Sequence, residues 1–269
     1  MYLRWNTSFD NRLFARNEFE RTLGTSEQAD GFAVAMRAYL PILGVTLDHG
    51  VDVAIECSID EAYHALNEHF LKYPYIMGGL PSMADYGLMG PLYAHHGRDP
   101  VSSNAIKQRA PAIYRWIETM QRPPVLDPEV WHVPQEFFSP DDLPDTLISF
   151  LKLLGKNFVP EITGTIELYH QWLDSQEHEA GAVVDVEGQK RCHQVLGELE
   201  HTQLGTPIQR IALLDDVAHH QRFLSVIDEM NTAEKETMTD ILQSIGAPDL
   251  ADVRLKQNIR RENYAFVLT

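Results

Sequence analysis

Cysteine is nearly missing from this chain: Cys57 and Cys192 are the only two in 269 residues. They lie far apart and outside any metal-ligand spacing, which excludes a cysteine-built zinc site and any disulfide framework beyond a single pairing, and suits a reducing compartment. Basic residues are scarce too. Lys and Arg total 22 against 39 Asp and Glu, a formal charge of −17, so nucleic acid and anionic membranes are expected to be repelled as partners. No apolar run approaches the roughly 20 residues needed to cross a bilayer, and the start lacks a basic segment followed by an apolar one. The expected address is cytoplasmic. A Gly-rich phosphate loop, a nucleophile elbow and a zinc-protease helix are also lacking, and Gly78-Gly79 has neither the strand nor the spacing of a dinucleotide site. Cys57, beside Glu56, reads as a small apolar filler rather than a nucleophile.

What is present is an ordinary globular composition, 44% hydrophobic and 23% charged, in a chain long enough for one large or two ordinary domains. The stretch from Tyr73 to Leu88 carries the sharpest signal. Gly78-Gly79 allows a tight turn, Pro81 stops regular structure, and Ser82 with Asp85 has capping-box spacing, which stabilises a helix start by about 0.5–2 kcal/mol. Ala84, Leu88, Met89 and Leu92 then fall at helical spacing, predicting a core helix.

Two further segments follow in order: Pro91-Leu92-Tyr93-Ala94-His95-His96-Gly97-Arg98-Asp99-Pro100, a helix end and exit loop, and Arg109 to Met120, a helix with Pro111 in its first turn and Trp116 on its inner face. Together with the capped start, they resemble the all-helical C-terminal domain of glutathione S-transferases. The similarity covers about residues 50–122, extends more loosely through 8–23 and 28–43, and beyond Pro124 is similar to the tail extension of some bacterial members. The fold implied is mainly α: a transferase-type helical bundle over 1–122, a proline-rich strap over 123–145, and a helical extension with a short β-hairpin over 146–269. The resemblance implies a small hydrophobic or electrophilic ligand and leaves a homodimer or a thioredoxin-like partner chain open. Glutathione is the implied cosubstrate, but in the family most of its contacts come from a thioredoxin-like first domain that this sequence is read as lacking. Catalytic residues therefore do not carry over. No metal is expected.

Along the chain, Phe9, Leu13, Phe14 and Phe19 suggest an aromatic stripe on a first helix, either core or ligand wall. Asp30 is read as the cap of a second helix burying Phe32, Met36 and Leu40. Asp60 is read as the start of a third, with Tyr63, Leu66 and Phe70 inward. Residues 121–145 hold six prolines with Trp131, Phe137 and Phe138, a composition for a packed strap rather than a solvated linker. Helical spacing resumes from Leu147 to Trp172, shifts towards period two between Gly188 and Leu214, and returns at about 215–229 and 233–245. Tyr264 to Leu268 reads as a terminal strand or packed tail.

The chemistry-bearing candidates are few. His95-His96-Gly97-Arg98 sits at a helix C-terminus, where a protonated His or Arg is favoured, so it reads either as charge matching or as an anion or acid site. With the first helix, the ligand-binding candidates are Trp5, Asn11, Arg12, Phe14, Tyr93, His96 and Arg98. Three Glu-x-x-His spacings, Glu61/His64, Glu167/His170 and Glu198/His201, allow a metal-dependent enzyme as an alternative to ordinary surface pairs. Asp215, Asp216, His219 and His220 form a further cluster, read as a charged solvent face. A non-catalytic binding or assembly module is the remaining alternative.

Overall fold

The computed structural model describes residues 4–5, 8–47, 50–121, 130, 132–175, 177–189 and 193–269. The expectations for Trp131 and Cys192 lie outside them. The described residues are mainly helical with two small antiparallel hairpins. It divides into two compact units, residues 1–41 with 55–150, and residues 42–54 with 151–269.

In the first unit, α1 (Phe9–Leu23) starts at Ser8, whose hydroxyl accepts from the Asn11 backbone N–H, and ends at Gly24 with φ 98°, a left-handed closure suited to glycine. The inward face of α1 is Asn11 and Ala15, with half-buried Phe19 one turn on. Phe9 and Leu13 of the expected stripe point out, 66% and 43% exposed. The small Asn11–Ala15 row is the side that α1 buries, and Asn11 Oδ1 accepts from the Val101 N–H at 2.9 Å.

α2 (Ser26–Tyr39) is capped by Thr25, whose hydroxyl accepts from Gln28. Asp30 is therefore not the cap. It lies one turn inside α2 and pairs with Arg16 at 2.7 Å. The third helix, α3 (Val51–Phe70), likewise begins before Asp60, directly after Gly50 with φ 79°. Asp60 is mid-helix and binds Arg109 at 2.8 Å. Tyr63, Leu66 and Phe70 are buried as their spacing requires, while Cys57 is exposed and fills no core space.

The helix α4 (Met83–Pro91) follows, then a π-helical turn at Leu92–Gly97, α5 (Pro100–Arg109) and α6 (Pro111–Met120). Pro91 has no N–H to donate back along the helix, and the wider turn follows directly. Leu92 is buried, Leu88 and Met89 half-buried, but Ala84 is exposed. The Asp85 carboxylate is fully buried and accepts from the Ser82 N–H and hydroxyl at 2.8 Å, the Ile76 N–H at 3.0 Å and Trp116 Nε1 at 3.1 Å. One acid thus fixes the incoming loop, the start of α4 and the inner face of α6. Residues 134–138 lie along that loop: Gly79 N–H donates to Glu136 O and Phe138 N–H to Met77 O, both at 2.9 Å. A Cβ on Gly79 would lie 1.8 Å from the Pro134 carbonyl oxygen, so only glycine fits there.

In the second unit, the long helix α7 (Asp145–Asp174), from residue 151 on, packs with hairpin β1 (Val195–Gln203) and β2 (Thr206–Leu213), helix α8 (Leu214–Glu229), and hairpin β3 (Ile259–Glu262) with β4 (Ala265–Leu268), and helix α9 (Thr232–Ser244) follows α8 in the chain. The β1–β2 turn is Leu204-Gly205, both with positive φ, the geometry of a two-residue hairpin. Ile166, Tyr169, Leu199, Leu214, Val217 and Leu268 form the centre of the core. The terminal segment is a paired strand.

Candidate functional site

The candidates from α1 and the π-helical turn all fall in the first unit, but they are arranged in three neighbouring settings. Arg98 joins one of them. Its guanidinium stands 5.7 Å from the Phe14 ring centre and 6.0 Å from that of Tyr93, and it forms an ion pair with Glu18. Phe14 is half-buried and Tyr93 37% exposed, so two aromatic rings from separate elements share one cation at the surface.

The second setting is polar and buried. Asn11 is fully buried, and its Oδ1 accepts from the Val101 N–H at 2.9 Å, tying α1 to the start of α5. Its Nδ2 has no partner among the described residues, nor do Trp5 Nε1 and His95 Nδ1. Trp5 turns its ring into Phe19 and Phe32, with centroids 5.5 and 5.9 Å away. Beside it, Arg4 makes a buried two-pronged bond to Asp99, at 2.8 Å through Nε and 2.5 Å through Nη2, and also donates to Ala94 O at 2.7 Å. Arg12 is half-buried and does not join Arg98 at the aromatic pair.

The third is His96, whose Nδ1 shares a hydrogen bond with the Tyr63 hydroxyl. Burial pushes the His96 pKa down to about 4, and burial raises that of Tyr63, so both are neutral near pH 7. The protonated imidazole expected at this helix end is thereby corrected: desolvation outweighs the attraction of the terminal carbonyls. His95 is also shifted down, by burial and then by Arg4. Sequence reasoning missed Arg4, Glu18 and the pairing of Tyr63. Asp99 was visible only as the residue before Pro100, a helix-start signal.

Searches against protein-family models, curated proteins and solved structures find no match to this chain.

A cavity of about 620 Å³ also lies in the first unit, lined by Leu71, Lys72, Tyr73, Pro134, Phe137 and Phe138, and it shares none of the expected site residues. Glu198 and His201 are three apart on strand β1, so they point to opposite faces and cannot share an ion. His170 Nε2 accepts from the Lys256 N–H at 3.3 Å. Among the described residues, no group of three His, Cys, Asp or Glu is arranged to hold a metal. The Asp215–His220 cluster is not a uniform solvent face either. His220 is buried and donates through Nε2 to Val253 O at 2.7 Å, and burial pushes Asp216 up to about 6.

Proposed function

We propose that the first unit is a glutathione S-transferase-like helical domain that binds a small apolar or electrophilic molecule against Phe14, Tyr93 and Arg98. The observation that carries this reading is the Arg98 guanidinium held over two partly exposed rings by Glu18, because such a surface offers a flat ligand both stacking area and a polar edge. The capped loop of Tyr73–Leu88 and its link to Trp116 support the family part of the proposal.

The residues of this surface do not fit glutathione itself. Among the described residues of the first unit there is no β-strand whose free edge would pair with a tripeptide backbone, and Arg98 is already matched by Glu18. Thiol chemistry is therefore assigned to no residue of this unit. The neutral His96–Tyr63 pair contributes shape and hydrogen bonding, not a cation.

Fluorescence titration with the neutral probe N-phenyl-1-naphthylamine tests the binding surface. Arg98→Ala and Phe14→Ala are each expected to weaken binding about tenfold; unchanged affinity in both would reject the site. Calorimetry at millimolar glutathione, with an aryl-halide conjugation assay, tests the transferase reading separately.

A second reading, a non-catalytic assembly module, is favoured by the outer face of α4. Met83 and Tyr86 are 82% and 59% exposed there, with Ala84, Gly87 and Gly90 beside them and no charge. A monomeric mass in solution that Tyr86→Lys leaves unchanged would remove it.

A further inference from the structure

We propose that the groove between α8 and the β3–β4 hairpin of the second unit binds a small molecule with a dianionic oxygen headgroup, a phosphomonoester or a dicarboxylate. The groove encloses about 600 Å³, within the range of small-ligand sites. In a chain with 22 basic and 39 acidic side chains, Arg222, Arg254, Arg260 and Arg261 all line it.

The ion pairs divide these arginines. Arg254 is matched by Asp228 at 2.7 Å and Arg260 by Glu262 at 2.7 Å, while the other acid of the lining, Asp215, faces His193 at 3.4 Å. Arg222 has no carboxylate partner among the described residues. Arg261 stands 5.0 Å over the Phe266 ring, its cross-strand neighbour, and likewise has no carboxylate partner among those residues. Two guanidinium forks, one from the helix and one from the hairpin, are thus left for an outside anion. Their summed charge complements a dianion, and the planar fork suits phosphate or carboxylate oxygens in pairs.

The walls are fixed before any ligand arrives. The Gln221 side chain donates to Ile259 O at 3.0 Å and accepts from Ile259 N–H at 2.7 Å, and His220 holds Val253 O, so α8 is bonded to the segment that carries Arg254 and Arg261. Leu255 and the Phe266 ring supply apolar contact for the rest of the molecule.

Calorimetry on the full chain with phenyl phosphate and, separately, succinate at about pH 8 distinguishes the two headgroups, since both are then dianions. One of them is expected to bind with Kd of about 0.1 mM. Arg222→Gln and Arg261→Gln should each weaken it about tenfold, and added salt should weaken it further. Should a glutamine variant lose its fold by circular dichroism, Arg222→Lys, which keeps charge but not the fork, is expected to fall between. No heat from either dianion up to about 10 mM, equal binding of uncharged benzyl alcohol, or affinity untouched by both arginine changes would overturn the proposal.

Discussion

Trp116 Nε1 donates to the Asp85 carboxylate at 3.1 Å across 31 residues of sequence. The same carboxylate receives three donors from the loop and helix start, so its removal leaves two backbone N–H groups and an indole without their acceptor. Asp85→Ala is expected to destabilise the first unit by about 3 kcal/mol, and Trp116→Phe, which loses stacking area but only one of the four bonds, by about 1–2 kcal/mol. Urea denaturation followed by circular dichroism checks both values. A smaller loss for Asp85→Ala than for Trp116→Phe would contradict the central role of the acid.

The close passage of Gly79 beneath residues 134–136 sets a second expectation. With the Pro134 oxygen 1.8 Å from an added Cβ, Gly79→Ala cannot be accommodated by side-chain motion, because the obstacle is backbone. The segment must lift, breaking the bonds from Gly79 to Glu136 and from Phe138 to Met77. Faster proteolytic cleavage between residues 132 and 142 and a stability loss of about 2–4 kcal/mol are expected. Gly87→Ala, with open space at its Cβ, is the control and should be neutral or slightly stabilising.

His96 makes the first unit sensitive to acid. Its folded pKa of about 4 lies below the ordinary value of 6.5, so the unfolded chain takes up a proton first as pH falls. Stability is full above pH 6.5 and declines towards pH 4, by about 3 kcal/mol from this residue if the whole shift is expressed. His69 adds in the same direction. It is buried, donates to Tyr75 O at 3.0 Å and is likewise shifted down by burial. His96→Gln should flatten the pH dependence of the denaturation midpoint between pH 6.5 and 4. An unchanged slope would show that His96 is solvated.

The sequence carried information mainly where the interaction is local. Ser82 and Asp85 are three residues apart and announce themselves, as do the β1–β2 hairpin, through its alternation, and the buried face of Tyr63, Leu66 and Phe70. Arg4 and Asp99 are 95 residues apart, and no periodicity links them. The first helix misled for a different reason. Phe9 and Leu13 have the composition of a core stripe, but the face that α1 buries is the small and polar Asn11–Ala15 row, with Asn11 bonded to the start of α5. At the site, Phe14, Tyr93 and Arg98 were found as residue types near a helix end, while their common geometry depended on the π-helical turn after Pro91.

Asp216 gives the second unit the opposite pH behaviour to His96. Burial is the main cause of its rise to about 6, with repulsion from Glu161 next, while Arg210, paired with Glu161 at 2.5 Å, pulls it back. The folded pKa is above the ordinary 3.8, so the native state holds a proton that the unfolded chain releases. Stability from this group is therefore greatest below about pH 4 and is lost as pH rises through 6. Asp216→Asn mimics the protonated form and is expected to stabilise the second unit at pH 7.5 by about 2 kcal/mol, allowing for its residual solvent screening. At pH 4 the same change should have almost no effect. Denaturation of both proteins at the two pH values decides it, because a substitution acting through packing alone would give the same difference at each.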